Sequence, residues 1–270
     1  MTKRKRIWFA VGAVLLLALI IWVIWADTAL EINTYTISSP RLPESFDGFR
    51  IAHLSDIHNG ENEDLLPLLR QTQPDIIVIT GDLIDSRDTQ VEIALALVQE
   101  AVQIAPCYYV SGNHESRISG WAALRKGLSD AGVTVLEDRS VTLERSGGTL
   151  TLVGLADPDF RGPFVAGLRE MSGQQEGYTI LLSHRPEYFE LYADCGVDLV
   201  FSGHAHGGQV RLPFVGGLIA PGQGLFPEYD SGLYRQGDTV MLVSRGLGNS
   251  IAPLRVNDRP EILVAVLKRP

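Results

Sequence analysis

Cysteine is scarce in this sequence. Cys107 and Cys195 are the only two among 270 residues, and a pair so far apart makes neither a disulfide framework nor the closely spaced cysteines of a structural zinc site. Both lie in or beside apolar segments, and we interpret them as small buried side chains rather than as a disulfide. A small disulfide-stabilised scaffold is therefore excluded.

Basic residues are scarce beyond the N-terminus. The chain carries 23 basic and 32 acidic residues, and four of the basic ones are Lys3, Arg4, Lys5 and Arg6. The remainder has 19 basic against 32 acidic residues, a formal charge of −13. Since nonspecific affinity for nucleic acid comes from basic side chains that displace counterions, duplex nucleic acid is not expected as a partner.

The sequence also lacks low-complexity linkers, heptads and repeats of about 20 to 50 residues. Its 45% apolar and 20% charged residues are ordinary for a globular protein. We therefore expect one folded catalytic domain over residues 27–270, with a different role for the segment before it.

One long apolar run precedes this domain. Residues 7–26 are 20 uncharged, mostly apolar residues, enough helix to cross a hydrocarbon core of about 30 Å. Trp22 and Trp25 lie at its outer end, and residues 1–6 are predicted to form a basic cytoplasmic tail. The domain is then extracytoplasmic, anchored by a single pass in the cytoplasmic membrane.

A cleaved signal peptide is the alternative to this anchor. The run is longer than the usual apolar region of about 7 to 15 residues, and no convincing small-x-small cleavage site follows it. An uncleaved anchor is therefore favoured. The basic cluster is not a clear twin-arginine signal, so the export route stays open.

After residue 31, short apolar segments alternate with segments of helical spacing. Several predicted strands are nearly continuous Val, Ile and Leu, which is typical of strands covered on both faces. The predicted strands are residues 50–54, 75–80, 107–110, 150–155, 178–183, 198–202, 239–244 and 262–267, and the predicted helices are residues 64–72, 89–101, 120–131 and 186–193. Turns at Gly147-Gly148 and Asn257-Asp258 are predicted to join strand pairs. The pattern indicates a β-rich α/β fold with mixed sheets.

Five of these predicted strands are followed directly by acids, amides or histidines. Carboxyl ends of strands in an open α/β sheet are where side chains from distant parts of a chain converge on a ligand, so one shared site is expected. The five segments are Ser55-Asp56-Ile57-His58, Gly81-Asp82, Gly112-Asn113-His114-Glu115, Ser183-His184-Arg185 and Gly203-His204-Ala205-His206.

The residue types in these segments favour a metal site. Residues two apart at a strand end project to the same side, so Asp56 with His58, and His204 with His206, form two pairs that can bind metal. Imidazole with carboxylate suits Zn, Fe, Mn or Ni, whereas an all-oxygen set suggests Mg or Ca. The pattern predicts a transition metal without identifying it.

Each histidine taken alone is more readily explained as a structural residue than as a ligand. However, five of the six histidines fall in the strand-end segments, which favours a common site. The sixth, His53, lies within the first predicted strand and is interpreted as a core histidine or as a support for the ligands.

The ordered series of these segments resembles the calcineurin-like metallophosphoesterase family. It spans residues 50–210 and contains every ligand type expected of that family. The apolar N-terminal segment and Gly207-Gly208-Gln209-Val210-Arg211-Leu212-Pro213 are similar to its bacterial membrane-anchored YaeI/YkuE-like phosphodiesterase branch. The resemblance implies a four-layer αββα sandwich with two mixed β-sheets.

The resemblance further implies two divalent or transition metal ions. The residues that match the family's ligand positions are Asp56, His58 and His206 for one ion, Asn113, His184 and His204 for the other, and Asp82 as the bridge between them. One carboxylate suits a bridge because it has two oxygens. The implied nucleophile is a metal-bound hydroxide.

Other residues are candidates for catalysis or for binding the substrate. The resemblance places His114 near the leaving group as the catalytic side chain, with an imidazole that titrates near the working pH. Arg117 and Arg185 are weaker candidates for phosphate contacts, because exposed arginines are commoner than substrate clamps. The loops at residues 157–160 and 246–249 follow strands, where substrate selection often resides, but plain turns are the favoured interpretation.

The expected function is a phosphodiesterase or pyrophosphatase acting on an envelope phosphoester, such as a phospholipid, a nucleotide-linked lipid or a wall polymer. Phosphomonoesterase activity stays open, and a phosphoprotein substrate is disfavoured because an outward-facing domain meets few phosphoproteins. A catalytically silent metal-binding scaffold at the membrane is the alternative from another class. The complete ligand set and His114 argue against it.

Reporter fusions after Pro270 test the predicted topology. Because basic flanking residues stay in the cytoplasm, an export-dependent reporter such as alkaline phosphatase is expected to be active at this position. Activity of a cytoplasm-dependent reporter there would contradict the predicted location of the domain and leave the metal-site prediction untouched.

Overall fold

Two six-stranded mixed β-sheets face each other in the middle of the domain. The computed structural model describes residues 2–160, 168, 177–249 and 254–270. In chain order the strands are β1 (Glu31–Ser38), β2 (Arg50–Leu54), β3 (Ile76–Thr80), β4 (Cys107–Val110), β5 (Thr134–Val135), β6 (Arg139–Arg145), β7 (Gly148–Gly154), β8 (Tyr178–Leu182), β9 (Leu199–Ser202), β10 (Arg211–Leu212), β11 (Gly216–Gly217), β12 (Ile219–Ala220), β13 (Gly224–Leu225), β14 (Gly232–Gln236), β15 (Thr239–Val243) and β16 (Glu261–Lys268).

The strand order is β1-β16-β2-β3-β4-β5 in the first sheet and β14-β15-β9-β8-β7-β6 in the second. β2 to β5 run parallel to one another, as do β7, β8, β9 and β15. The remaining short strands form two separate hairpins, β10–β11 and β12–β13. The parallel strands therefore present their carboxyl ends together.

Helices cover the outer faces of both sheets. The α-helices of the described residues are α1 (Lys3–Thr28), α2 (Leu65–Gln71), α3 (Val91–Ala101), α4 (Asn113–Ser116), α5 (Trp121–Asp130) and α6 (Phe189–Asp194). α2, α3 and α5 pack on the first sheet, α6 packs on the second, and a central core that includes Val78 and Phe201 fills the space between the sheets. The predicted four-layer αββα sandwich is confirmed.

The predicted strands and helices are present, with bounds shifted by at most two residues, except that the segment predicted as a helix over 186–193 begins with a 3-10 turn before α6. The longer strands that the sequence did not predict are β1, β6 and β14, which all lie at sheet edges. Edge strands have a solvated side, so polar residues alternate along them and no continuous apolar run forms.

One predicted turn is confirmed and one is wrong. Gly147, with φ of +83°, turns the chain between the antiparallel strands β6 and β7. Asn257-Asp258 joins no strand pair, because β15 and β16 lie in different sheets. Asp258 is buried instead, with its carboxylate 3.5 Å from the guanidinium of Arg255.

α1 is apolar on all sides and exposed along its length. Among the described residues it is the one helix long and apolar enough to cross a membrane, with a mean hydropathy of 2.9 in its apolar window. It includes residues 3–6 and 27–28 beyond the predicted span. A surface helix of a soluble domain shows one apolar face rather than an entirely apolar surface.

The C-terminal end of α1 is bound to the domain. Asp27 Oδ1 accepts hydrogen bonds from Asn249 Nδ2 at 3.0 Å and from the backbone N–H of Arg255 at 2.9 Å. The Arg259 guanidinium lies 4.6 Å from the centre of the Trp25 ring. The end of the helix is thus fixed to the segment that leads from β15 to β16.

Candidate metal centre

The five strand-end segments meet at one edge of the sandwich. β2, β3 and β4 are parallel neighbours in the first sheet, and β8 and β9 are parallel neighbours in the second. Each strand ends where its segment begins, and the facing sheets bring the two sets together. The convergence follows from the shared direction of the strands.

Left-handed backbone conformations are concentrated in these segments. The φ angles are 51° at Asp56, 49° at His58, 50° at Asp82, 67° at His204 and 48° at His206. Such conformations cost a non-glycine residue about 1–3 kcal/mol each and persist where the surrounding structure enforces them. Strain of this kind clusters at functional sites and here turns the side chains toward one another.

Gly81 permits the close approach of three segments. Its φ is +85°, and a Cβ at this position would lie 2.5 Å from the backbone nitrogen of Gly112 and 2.8 Å from His184 Nδ1. Any side chain would therefore push these segments apart, which explains the glycine before Asp82.

The first group of ligand atoms comes from Asp56, His58, Asp82 and His206. His206 Nε2 lies 3.1 Å from His58 Nε2 and 3.3 Å from Asp56 Oδ1. Asp82 Oδ2 lies 3.6 Å from His58 Nε2. Burial lowers the pKa of His58 to about 4 and that of His206 well below its usual value. Both imidazoles are therefore neutral near pH 7 and carry a lone pair.

The second group is built around His184. Its Nε2 lies 3.1 Å from His204 Nδ1, 3.2 Å from Asn113 Oδ1 and 3.3 Å from Asp82 Oδ2. Its Nδ1 donates to the carbonyl oxygen of Thr80 at 2.7 Å. This bond fixes the ring and turns Nε2 toward the group, as in histidines that bind metal.

The spacing and charge of the second group fit a divalent cation. Ligand atoms bound at about 2.0–2.1 Å to one ion lie roughly 3.0–3.4 Å from each other, and the contacts of His184 Nε2 fall within that range. Burial opposes positive charge on His184, but the Asp82 carboxylate outweighs it and raises the pKa of this imidazole to about 10. The cluster thus attracts a cation.

Asp82 belongs to both groups through a single oxygen. Oδ2 lies 3.6 Å from His58 Nε2 and 3.3 Å from His184 Nε2, whereas Oδ1 accepts the backbone N–H of His114 at 2.9 Å. The sequence argument invoked both carboxylate oxygens for the bridge. The structure instead offers one oxygen to the two groups and uses the other to orient the carboxylate.

His204 and His206 lie in different groups although one residue separates them. His206 contacts Asp56 in the first group, and His204 contacts His184 in the second. The simple rule for extended strands therefore fails for this pair, whose backbone is left-handed, as it is at Asp56 and His58. Asp56 and His58 do lie in the same group, as that rule predicted.

His114 lies beside both groups in a defined orientation. The backbone N–H of Ser86 donates to Nδ1 at 3.0 Å, and Asp85 Oδ1 lies 3.5 Å from the same nitrogen. In the neutral ring the proton is therefore on Nε2, which lies 4.0 Å from Asp82 Oδ2. Burial lowers the pKa of His114 below its usual value, so the neutral form prevails near pH 7.

His58, Asp85 and His114 also lie close enough together to hold an ion. However, Asp85 accepts from Nε and Nη2 of Arg87 at 3.0 Å and 2.5 Å, and His114 Nδ1 already accepts an amide N–H. We therefore interpret Asp85 and Ser86 as residues that orient the His114 ring, not as metal ligands. The sequence analysis missed both residues, whose only signal was their position just after Gly81-Asp82.

The two candidate phosphate contacts differ in their surroundings. Arg185 donates through Nε and Nη2 to Asp157 at 2.6 Å and 2.9 Å, and its Nη1 lies 3.1 Å from His204 Nε2. Arg117 is more exposed and lies 3.5 Å from Asp159. The loop at residues 157–160 is therefore more than a plain turn, because it fixes Arg185 beside a candidate ligand.

The loop at residues 246–249 supports the turn that contains Asp56. The backbone N–H of Gly248 donates to the Asp56 carbonyl oxygen at 2.7 Å, and that of Leu247 donates to Ser55 at 3.0 Å. His53 lies beneath this turn, buried in β2, with its Nε2 2.7 Å from Thr80 Oγ1. The structure thus places His53 in the core, as predicted.

Glu115 is a site residue to which the sequence analysis gave no role. Its fully buried carboxylate accepts four backbone N–H groups, from Asp82, Leu83, Ile84 and Gly112, at 2.8–3.3 Å. Burial and the nearby Asp82 raise its pKa to about 7. Glu115 thereby ties the end of β3 to the end of β4. Its signal was an acid directly after Asn113-His114.

Replacing Glu115 with Ala is expected to lower the free energy of unfolding by at least about 2 kcal/mol, because several buried amides lose their acceptor. Metal content should fall as well, since the backbone of Asp82 is released. Denaturant unfolding and elemental analysis of the purified chain measure both effects. Glu144→Ala on the exposed side of β6 is the control, and an equal effect of the two changes would contradict the role of Glu115.

Comparisons with known proteins agree with this geometry. The model of the calcineurin-like phosphoesterase family matches residues 49–208. An uncharacterized metallophosphoesterase of Bacillus subtilis, YkuE, is 36% identical over 255 residues, which cover 88% of this chain and 86% of that protein. The phosphodiesterase YaeI of Escherichia coli is 28% identical over 230 residues, covering 81% and 82%.

A further relative is the transmembrane protein with metallophosphoesterase domain of Danio rerio. It is 30% identical over 251 residues, which cover 85% of this chain and 55% of that protein. The family match over residues 49–208 contains all five strand ends described above. The chain therefore belongs to the calcineurin-like phosphoesterase family, whose members hydrolyse phosphoric ester bonds.

Proposed function

We propose that this chain is a phosphodiesterase or pyrophosphatase that uses two divalent metal ions to hydrolyse a phosphoester of the bacterial envelope. The observation that carries the proposal is the pair of ligand groups that share Asp82 Oδ2, with the Nε2 of His114 only 4.0 Å from that oxygen. This arrangement supports two adjacent cation sites with a hydrogen-bond donor beside them.

The proposed ligands fall into two sets that share one residue. When bound, two such ions neutralise phosphate charge and lower the pKa of water. The proposed ligands are Asp56, His58 and His206 in the first set, Asn113, His184 and His204 in the second, and Asp82 in both. The second carboxylate oxygen of Asp82 stays on the His114 amide and keeps the shared oxygen in place.

His114 is the proposed catalytic residue. Because Ser86 fixes Nδ1 as an acceptor, the Nε2–H bond is available to a phosphoryl or departing oxygen. An oxygen that leaves with negative charge gains more from such a donor than the bound ester does, so the contact favours the transition state. Of the two arginines, Arg117 is proposed to contact phosphate, while Arg185 holds His204 in position.

A location at the membrane is part of the proposal. It is supported by the exposed, apolar surface of α1 and by the membrane-protein relative in Danio rerio. The preference for diesters is supported by the relative YaeI, which is named a phosphodiesterase. An anchored enzyme meets lipid and lipid-linked phosphoesters at high local concentration, which favours them as substrates.

His114→Ala is expected to lower kcat by about 10²–10³-fold, the usual contribution of a positioned hydrogen-bond donor to a developing negative charge, while the metal content stays that of the wild type. Asp82→Ala should lose both metals and nearly all activity. Steady-state kinetics and elemental analysis of both variants make the comparison. The role of His114 is refuted if His114→Ala loses its metals as completely as Asp82→Ala.

The substrate class is tested with the full chain, stripped of metal and reloaded separately with Mn, Fe, Zn or Ni. Hydrolysis of bis(p-nitrophenyl) phosphate and of phospholipid in vesicles is expected to exceed hydrolysis of p-nitrophenyl phosphate, and to vanish without metal. Faster hydrolysis of the monoester contradicts the diester assignment. No cleavage of the activated diester by the metal-loaded chain favours the silent scaffold instead.

A further inference from the structure

Large exposed apolar side chains outside α1 are concentrated in one place. Eight such residues occur among the described residues, and six of them lie between positions 212 and 226, on the hairpins β10–β11 and β12–β13. We call these six the hairpin surface: Leu212, Phe214, Val215, Ile219, Leu225 and Phe226. Single exposed apolar residues are ordinary, but a cluster marks an interaction surface.

The sequence of the hairpins is also depleted in charge. Residues 207–227 contain a single charged residue, Arg211, in a chain with 20% charged residues. Its guanidinium donates to the Gly207 carbonyl oxygen at 2.8 Å and lies 3.2 Å from Asp230 Oδ2. The hairpin surface therefore presents apolar side chains with no charge of its own among them.

Two aromatic residues of this surface have strained backbones. Phe214 and Phe226 have φ angles of 66° and 55°, a conformation that bulky residues rarely adopt. Phe214 is fully exposed at the turn of its hairpin, and Phe226 follows β13 with 60% of its surface exposed. Both rings are thus held in solvent by a backbone conformation that is unfavourable for phenylalanine.

The base of the first hairpin is linked to the C-terminal end of α1 through the segment before β16. The backbone N–H of Arg211 donates to the Val256 carbonyl oxygen at 2.9 Å, and that of Val256 donates to Gln209 at 3.0 Å. The preceding residue, Arg255, donates its N–H to Asp27 in α1. The exposed side chain of Leu254 lies at the same junction. The base of the first hairpin is therefore tied to the C-terminal end of α1 through two consecutive residues, Arg255 and Val256.

The hairpins also adjoin the metal centre. They follow His206 in the chain after four residues, and a Cβ on Gly208 would come into conflict with the Cα of Gly217 in β11. The turn of His206 and the base of the first hairpin are therefore packed backbone against backbone. Any partner that binds the hairpins is therefore also close to the metal centre.

We propose that the hairpin surface inserts into the outer leaflet of the same membrane that α1 crosses. The inference rests on the membrane location in the proposed function and names its substrate class, a phosphoester whose apolar part stays in the bilayer. Exposed rings and aliphatic side chains without charge fit the boundary between headgroups and acyl chains. The helix and the hairpins then hold the metal centre against the headgroup layer.

Depth-dependent fluorescence tests this contact. The full chain is prepared with Cys195→Ser, so that the dye does not react there, and Cys107 is kept because it is buried. Phe214→Cys or Phe226→Cys is added to this background, and the new cysteine is labelled with the polarity-sensitive dye NBD. Each labelled variant is reconstituted into vesicles of phosphatidylethanolamine and phosphatidylglycerol, with or without doxyl-labelled lipid. Asp238→Cys is the matched control, because Asp238 is exposed in the turn between β14 and β15, at the end of the second sheet opposite the metal centre.

The dye at positions 214 and 226 is expected to shift its emission to the blue and to lose intensity with doxyl lipid, whereas the dye at position 238 does neither. Equal spectra at 214, 226 and 238 overturn the proposal. A blue shift without quenching by doxyl lipid also overturns it, because a second copy of the chain then covers the hairpins.

This readout needs no turnover and separates the possible failures. Co-sedimentation of every variant with the vesicles checks the anchor, and hydrolysis of bis(p-nitrophenyl) phosphate by the unlabelled wild-type chain checks the catalytic centre. An active, vesicle-bound chain without quenching at 214 and 226 refutes the hairpin contact alone. Quenching in an inactive chain supports the contact and refutes the phosphoesterase proposal.

Discussion

The position of one carboxylate oxygen governs the rest of the site. Asp82 Oδ2 faces imidazoles of both ligand groups, so a shift of this oxygen alters both at once. Its position depends on three restraints: the left-handed backbone of Asp82 itself, the His114 amide on Oδ1, and the Glu115 carboxylate on the amide of Asp82. Two of these come from α4, so the end of β4 determines the geometry at the end of β3.

The sandwich stabilises a centre that is costly in isolation. Buried carboxylates, neutral buried imidazoles and five left-handed residues all oppose folding. They are enforced because the strands that carry them are nearly inaccessible on both faces, with cores above, between and below the sheets. β2 illustrates how core and site residues are separated along a strand. His53 and its neighbours pack in the core, and the residues immediately after Leu54 form part of the metal centre.

Much of this arrangement was predictable, and the failures have physical causes. Continuous apolar runs identify central strands such as β3 and β8, whereas β1, β6 and β14 alternate and escape that criterion. Acids and histidines after strands identify the ligand candidates. Glu115, Asp85 and Ser86 act through backbone amides and ring orientation, which no residue pattern encodes. The separation of His204 from His206 is a property of the tertiary structure, because Asp56 and His58 share the same left-handed backbone and yet lie in one group.

The connection between α1 and the domain has a consequence for how substrate reaches the centre. Only Ala29 and Leu30 lie between α1 and β1, and Arg259 donates to the carbonyl oxygens of both residues. A tether of many glycines and serines lets a domain sweep a volume that grows with its length. The two-residue connection here is too short, and too firmly bonded to Arg259, for the domain to move in this way. With α1 across a membrane, as proposed, the centre meets lipid-linked phosphoesters only as they diffuse laterally in that membrane, and their encounter with it is two-dimensional.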